Sequence, residues 1–125
     1  SEQIKAICAL TNATTVIVVD ALAGSDTERL CKCIQISDAG ISPGSGVGNS
    51  RKEISTKLLG VPVISIGIPT VIDAAYFGGE NFGEMFVTPR NIDSLVRRGA
   101  KLIGYAINSA VHTEISIEDM DALLN

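Results

Sequence analysis

An α/β fold with a mostly parallel sheet flanked by helices is what this 125-residue sequence predicts. Three observations lead there. Apolar, β-branched runs alternate along the chain with segments of helical period. Each run is closed by a turn signal, and carboxylates stand at or just past the ends of three of them. Ligands and chemistry in open parallel sheets gather at such strand ends.

Taken in order, residues 2–10 read as a short helix with Ile4, Ile7 and Cys8 on one face, and Asn12 and Thr14 mark a turn. TTVIVVDALAG follows, residues 14–24. Its apolar run predicts a buried parallel strand over 15–20, closed by Asp20. Ser25-Asp26-Thr27-Glu28 fits a capping box opening a short helix through Leu30. CKCIQIS, residues 31–37, reads as a second strand. ISPGSGVGN, 41–49, is a loop. Ser50-Arg51-Lys52-Glu53 is a second capping box, continued by Ile54, Leu58 and Leu59 and stopped by Gly60. VPVISIGIPT is a third apolar strand, with Pro62 near its start and Pro69 ending it. Val71 to Tyr76 opens a helix, and 77–84 is a flexible connection.

Thr88-Pro89 reads as an N-cap with proline in the first helical position. Ile92, Leu95, Val96, Leu102, Ile103, Ile107 and Val111 then form the longest amphipathic stripe in the chain. Gly99 and Gly104 fall within that helix, where each costs roughly 1 kcal/mol relative to Ala. Ser116 and Asp119 predict the cap of a last short helix.

Composition narrows the function classes. With 46% hydrophobic residues the chain folds rather than staying disordered. A net charge of −4 argues against nucleic-acid binding by general electrostatics and leaves binding of a basic protein partner open. No apolar run approaches the ~18 residues of a membrane span, and SEQIKAICALTNA lacks the pattern of a signal peptide. Cys8, Cys31 and Cys33 fit a reducing compartment and structural roles. His112 is the single histidine, so neither a Cys/His zinc site nor a Ser-His-Asp triad is readable. No metal and no cofactor are expected.

Asp20, Asp38 and Asp73 are the candidate chemical groups. Two carboxylates close together could share a proton, one acting as base toward water and the other as acid toward the leaving group. Each also has a structural reading: Asp20 as a helix cap, Asp38 as a turn residue in SDAG, Asp73 in a first helical turn. Gly44, Gly46 and Gly48 resemble a phosphate-cradling loop but match neither G-x-x-x-x-G-K-[ST] nor G-x-G-x-x-G. Arg51 and Lys52 beyond them could support an anion or carboxylate.

DALAG…ERL, IQISDAGISPGSGVGNSRKEIS, LGVPVISIGIPTVIDAA and MFVTPRNID stand in order from about Thr14 to Asp93. Together they resemble the spore germination protease family. The resemblance implies an α/β, phosphorylase/hydrolase-like fold and an atypical aspartic endopeptidase, made as a zymogen. Its substrates would be small acid-soluble spore proteins, degraded during germination in the cytoplasm of the spore core. It maps one of two catalytic aspartates onto Asp20. Beside it, Gly44, Gly46 and Gly48 and the aspartates Asp38 and Asp73 are the weaker candidates, as substrate-binding or orienting groups. The second aspartate belongs to an upstream T-P-D motif that does not occur in this chain. The expectation is therefore a single α/β domain or fragment over 1–125, the C-terminal part of the protease and half of a larger domain. Alone it would be inactive and prone to homo-oligomerise through its exposed sheet edge. Gly24-Ser25 stands where the family commonly has Ser or Ala followed by Arg, and Cys31-Lys32-Cys33 replaces small polar residues. The competing expectations are a non-catalytic α/β fragment that binds a partner, and an anion-binding domain using GSGVGN.

Overall fold

The computed structural model describes residues 2–48, 51–77 and 85–124. The chain divides into two compact units, Ser1–Pro89 and Arg90–Asn125. It is mixed α/β. No helix among the described residues is long and apolar enough to cross a membrane.

The first unit starts with α1, Glu2–Thr11, whose Cys8 is buried as its spacing predicts. Strands β1, Val16–Gly24, β2, Gln35–Ser37, β3, Val63–Asp73, and β4, Phe86–Val87, form one sheet. The strand order is β1-β3-β2, with β4 also pairing β3. Only β1 and β3 are parallel; β2 and β4 both run antiparallel to β3. The mostly parallel sheet is thus corrected to a mixed one, and the reason is local. A parallel return needs a crossover of about a dozen residues or more, usually a helix. The expected helix after Ser25 is instead a series of turns, in which Asp26 Oδ1 accepts the Glu28 amide at 2.8 Å. The backbone passes Cys31 at φ 56°, and the strand expected over 31–37 shrinks to β2.

Side chains of β1 alternate. Val16 and Val18 join Cys8, Ile54, Leu59 and Val63 in a core roofed by α1 and by α2, Thr56–Leu59. Ile17 and Val19, on the other face, are 38% and 51% exposed. The buried strand of the sequence reading is therefore a half-exposed edge strand. Its continuous apolar run looked two-sided because both faces carry aliphatics. The second expected helix begins later than its capping box: Ser50 lies outside the described residues, and Ile54 instead exchanges amide hydrogen bonds with Ile41, at 2.7 and 2.9 Å. Gly60 does end α2, at φ 77°.

Pro69 does not end β3. Its carbonyl accepts the Cys31 amide at 2.7 Å, on the side facing away from β1. A strand residue's N–H and C=O point to the same side, and β2 has already finished there, so the missing N–H removes no ladder bond. The strand continues to Asp73, where a 3₁₀ turn, Ala74–Phe77, replaces the expected helix. The connection expected over 77–84 lies outside the described residues from 78 onward.

The second unit is a helix pair. Helix α3, Ile92–Val111, spans the predicted stripe, but Val96, Leu102 and Val111 of that stripe are exposed, and Asn91 rather than Thr88 precedes the helix. Thr88 Oγ1 instead donates to Thr70 O at 2.8 Å. Helix α4, Ile117–Leu124, has the predicted cap: Ser116 Oγ accepts the Asp119 amide at 3.1 Å and donates to its carboxylate at 2.6 Å. Ile103 and Met120 are buried. Lys101 and Tyr105 of α3 both bond Asp121 of α4, and that carboxylate raises the pKa of each above its ordinary value.

Two left-handed glycines separate crowding from backbone strain. A Cβ at Gly40, φ 86°, would lie 2.7 Å from both Ile54 O and Ser55 Cβ, whereas one at Gly60 meets nothing within 4 Å. Gly60→Ala is expected to cost roughly 1–2 kcal/mol through its positive φ alone. Gly40→Ala should cost about 1–3 kcal/mol more. Urea denaturation of the two variants measures the difference, and equal losses would contradict the packing at Gly40.

Candidate functional site

The sheet face that carries the core changes character along its length. Successive inward positions pair Val16 with Val63, Val18 with Ser65, Asp20 with Gly67, and Leu22 with Pro69. On the far side of β3, Ser37 pairs Ser65 and Gln35 pairs Gly67. The first levels are apolar and roofed. The next contains a serine whose hydroxyl donates to Ser37 O at 3.1 Å. The third is Asp20, Gly67 and Gln35 in a row across three strands. Two strand spacings put the outer pair about 9–10 Å apart, with the Leu22 side chain lying over Gly67 between them.

Here the helical roof gives way to the loop from Ile41 onward and its 3₁₀ turn, Ser45–Val47. Between loop and sheet lies a cleft of about 560 Å³. Asp20, Leu22, Gln35 and Thr70 line it from the sheet; Ser42, Gly44, Ser45, Val47 and Arg51 line it from the loop side. Asp20 is half-buried in mid-strand rather than at a strand end. Its Oδ1 accepts the amide of Ala21 at 2.9 Å. It caps no helix, because none follows β1. Its other oxygen has no protein partner among the described residues. The site is thus a carboxylate held by its own strand, half engaged and half open to a cleft.

The other candidates are placed elsewhere. Asp38 is exposed in the bend after β2. Because β2 runs backwards, its end lies about 10 Å from the level of Asp20 in the direction of the core. Asp73 closes β3, six residues and about 20 Å beyond Gly67. Its Oδ1 accepts the Ala75 amide at 2.9 Å, opening the 3₁₀ turn. Neither lines the cleft. Of the three loop glycines, Gly44 lines it, at φ 76°. Gly46 lies inside the 3₁₀ turn and Gly48 caps it. Gln35, Ser42 and Thr70 were not singled out by sequence, since only the strand register places them beside Asp20. Among the described residues no three His, Cys, Asp or Glu side chains gather as a metal site. Cys31 and Cys33 are free and half-buried; burial pushes the Cys31 thiol up.

Comparison with known proteins gives the class first: the proteins that this chain matches are peptidases. The chain belongs to the germination protease family, whose profile matches residues 1–82. Germination protease of Clostridium tetani is 34% identical over 166 aligned positions, covering all of this chain and 51% of that protein. Germination protease of Geobacillus sp. is 60% identical over 74 residues, 59% of this chain and 20% of that protein. That of Bacillus cereus is 58% identical over the same length. The chain spans about half the length of the relatives that it matches throughout. In the Clostridium tetani alignment, 166 positions against 125 residues leave at least 41 without a counterpart here. Part of the relative's extra length therefore lies inside the matched region.

Gly67 makes room for the Leu22 side chain, which lines the cleft. A Cβ there would lie 2.5 Å from Leu22 Cγ and 2.8 Å from the Asp20 carbonyl oxygen. Gly67→Ala should destabilise by about 1–3 kcal/mol. The same change made in a Leu22→Ala background should cost distinctly less, since the closest clash is gone. Thermal denaturation of the four variants checks this, and an equal cost in both backgrounds would contradict it.

Proposed function

We propose that this chain carries the carboxylate half of an aspartic endopeptidase site, with Asp20 as a catalytic residue. The substrates are small acid-soluble spore proteins, degraded in the spore core during germination. The observation that carries the reading is the placement of Asp20, in the one stretch of β1 where the inward face leaves the core and enters a cleft. Family membership supports the reaction class. An aspartic mechanism needs a second carboxylate close enough to share a proton, so that one group takes a proton from water and the other gives one to the leaving amine. Asp38 and Asp73 lie at other levels of the sheet, which favours a partner aspartate supplied by the half of the protease outside these residues. That half would also hold the zymogen control, and the 125-residue chain alone would be inactive.

In the full-length protein, Asp20→Asn should abolish spore-protein cleavage, by at least about a thousandfold, while leaving the thermal unfolding profile unchanged. Cleavage at an undiminished rate would sink the assignment.

The uncovered aliphatic face supports a second part of the proposal. Ile36 is 69% exposed on the same side as Ile17 and Val19, and among the described residues no strand pairs the outer edge of β1. Exposed apolar edges pair with one another. The isolated 125-residue chain is expected to self-associate, with a weight-average mass that climbs with concentration in sedimentation equilibrium. A strict monomer at all concentrations would count against this.

A further inference from the structure

Two of the three thiols stand two residues apart in the turns that lead from β1 to β2, and the peptidase reading leaves them unused. Cys31 and Cys33 are both free and both half-buried. The third, Cys8, is buried in the core of the first unit, where it packs as a small apolar group.

The backbone at the pair is held in an unusual shape. Among the described residues Asn12 and Cys31 are the non-glycines with positive φ, at 50° and 56°. Asparagine enters the left-handed region with the help of its short polar side chain, and cysteine has no such compensation. Strain of this kind persists only where neighbouring bonds impose it, and it gathers at functional positions. Here the bonds are on view. The Cys31 amide donates to Pro69 O at 2.7 Å, and the Lys32 amide donates to Arg29 O at 3.0 Å. The Cys33 thiol donates to the same Arg29 carbonyl at 3.6 Å. Its Sγ is therefore folded back over the turn that carries Cys31 rather than directed away from it.

Separation favours a bridge as well. In an extended strand, Cα atoms two residues apart are about 6.6 Å from each other. A disulfide spans roughly 4.4–6.8 Å between Cα atoms, so an extended pair stands at the outer limit. Lys32, the residue between the two cysteines, lies in a turn rather than in a strand, and that draws the two Cα atoms closer.

We propose that Cys31 and Cys33 form a redox-active dithiol, which a low-molecular-weight disulfide oxidises to an intramolecular bond. Burial pushes the Cys31 thiol up, which leaves Cys33 to start the exchange. The Cys33 thiolate attacks one sulfur of the oxidant and expels one thiolate. Cys31 then gives its proton to solvent, attacks Cys33 Sγ and expels the second thiolate. The two protein thiols lose two electrons, and one small disulfide is reduced to two thiols. A bridge across so short a loop is strained, and strain makes it readily reduced. Such a bond stays open in a reducing compartment and closes when the thiol pool turns oxidising. The pair lies close to the cleft in sequence and in hydrogen bonding. Gln35, two residues beyond Cys33, lines the cleft, and the Cys31 amide holds Pro69 of β3. Closure removes the Sγ donor from Arg29 O, so the path into β2 is reset whether or not Asp20 is catalytic.

The test equilibrates the full-length protein in glutathione buffers of rising disulfide content, then traps free thiols by alkylation. Digestion after Glu28 and Glu53 isolates residues 29–53, which contain both cysteines, for mass spectrometry. The expected product is a peptide that has lost two hydrogens and takes up no alkyl group. It should revert to the doubly alkylated form when glutathione is returned to excess, with Cys8 reduced throughout. No bridge at any buffer ratio overturns the proposal, as do mixed disulfides with glutathione alone or a bridge to Cys8. Phenylarsine oxide, which needs two adjacent thiols, gives a check on the reduced wild type that requires no variant. One equivalent should bind and block alkylation of both cysteines in the 29–53 peptide, and continued alkylation of both would contradict their proximity. Amide NMR reads the link to the cleft: the Gln35 resonance should shift on oxidation of wild type and stay in place for Cys33→Ser. A Gln35 resonance unmoved by closure, or moved equally in Cys33→Ser, would defeat that link.

Discussion

The parallel pairing of β1 with β3, in the register that sets Asp20 opposite Gly67, is the constraint on which the site depends. Side chains alternate with a period of two, so a slip of one residue would turn Asp20 onto the opposite face and bring Ile17 and Val19 into the core. The register is fixed by burial at the other end of the strands. Val16 and Val18 reach the cluster of Cys8, Ile54, Leu59 and Val63 only in this alignment. The same aliphatic packing that stabilises the unit thus determines where the carboxylate emerges. Glycine at 67 completes the arrangement, since any larger residue would press on Leu22 and the Asp20 carbonyl.

The cleft arises where two covering layers fail to meet. Helices α1 and α2 roof the first levels of the sheet, and the loop with its 3₁₀ turn stands over the later ones. The loop is pinned at both ends: Ile41 and Ile54 exchange amide hydrogen bonds, and the Arg51 amide bonds Pro43 O. Its described residues, 41–48 and 51–54, therefore stand on fixed feet, and Gly44 and Gly48 supply the left-handed backbone at the 3₁₀ turn. A polypeptide substrate entering this space would meet the open oxygen of Asp20 on the sheet side and Arg51 on the loop side.

Much of this was legible in the sequence, and the failures share a cause. The amphipathic stripe of α3, the Gly60 stop and the Ser116 cap depend on local chemistry, and local chemistry is what a sequence displays. Asp20 could be placed on an apolar strand for the same reason. Strand direction is not local. Turns after Ser25 in place of a helix reversed β2, and that carried Asp38 away from the level of Asp20. Pro69 misled because its tolerance depends on where β2 ends, and Gln35 and Thr70 were overlooked because only the register brings them to the cleft. The aliphatics of β1 gave no hint that Ile17 and Val19 stay exposed, since both faces carry the same residue types. The family resemblance, by contrast, was legible from four motifs in order, and it is the part that the comparisons support most directly.

The central claim is that substrate binds in the cleft between Asp20 and the wall formed by Gly44, Ser45, Val47 and Arg51. Amide NMR of the full-length protein tests it most directly, during titration with a spore-protein peptide whose scissile amide is replaced by a methylene amine. The account predicts saturable shifts concentrated at Ala21, Gly44, Arg51, Gly67 and Thr70, with Ala75 and Asp119 unmoved. Shifts centred on Asp73 and Ala75, or saturable binding that leaves Ala21 and Gly67 unchanged, would contradict it.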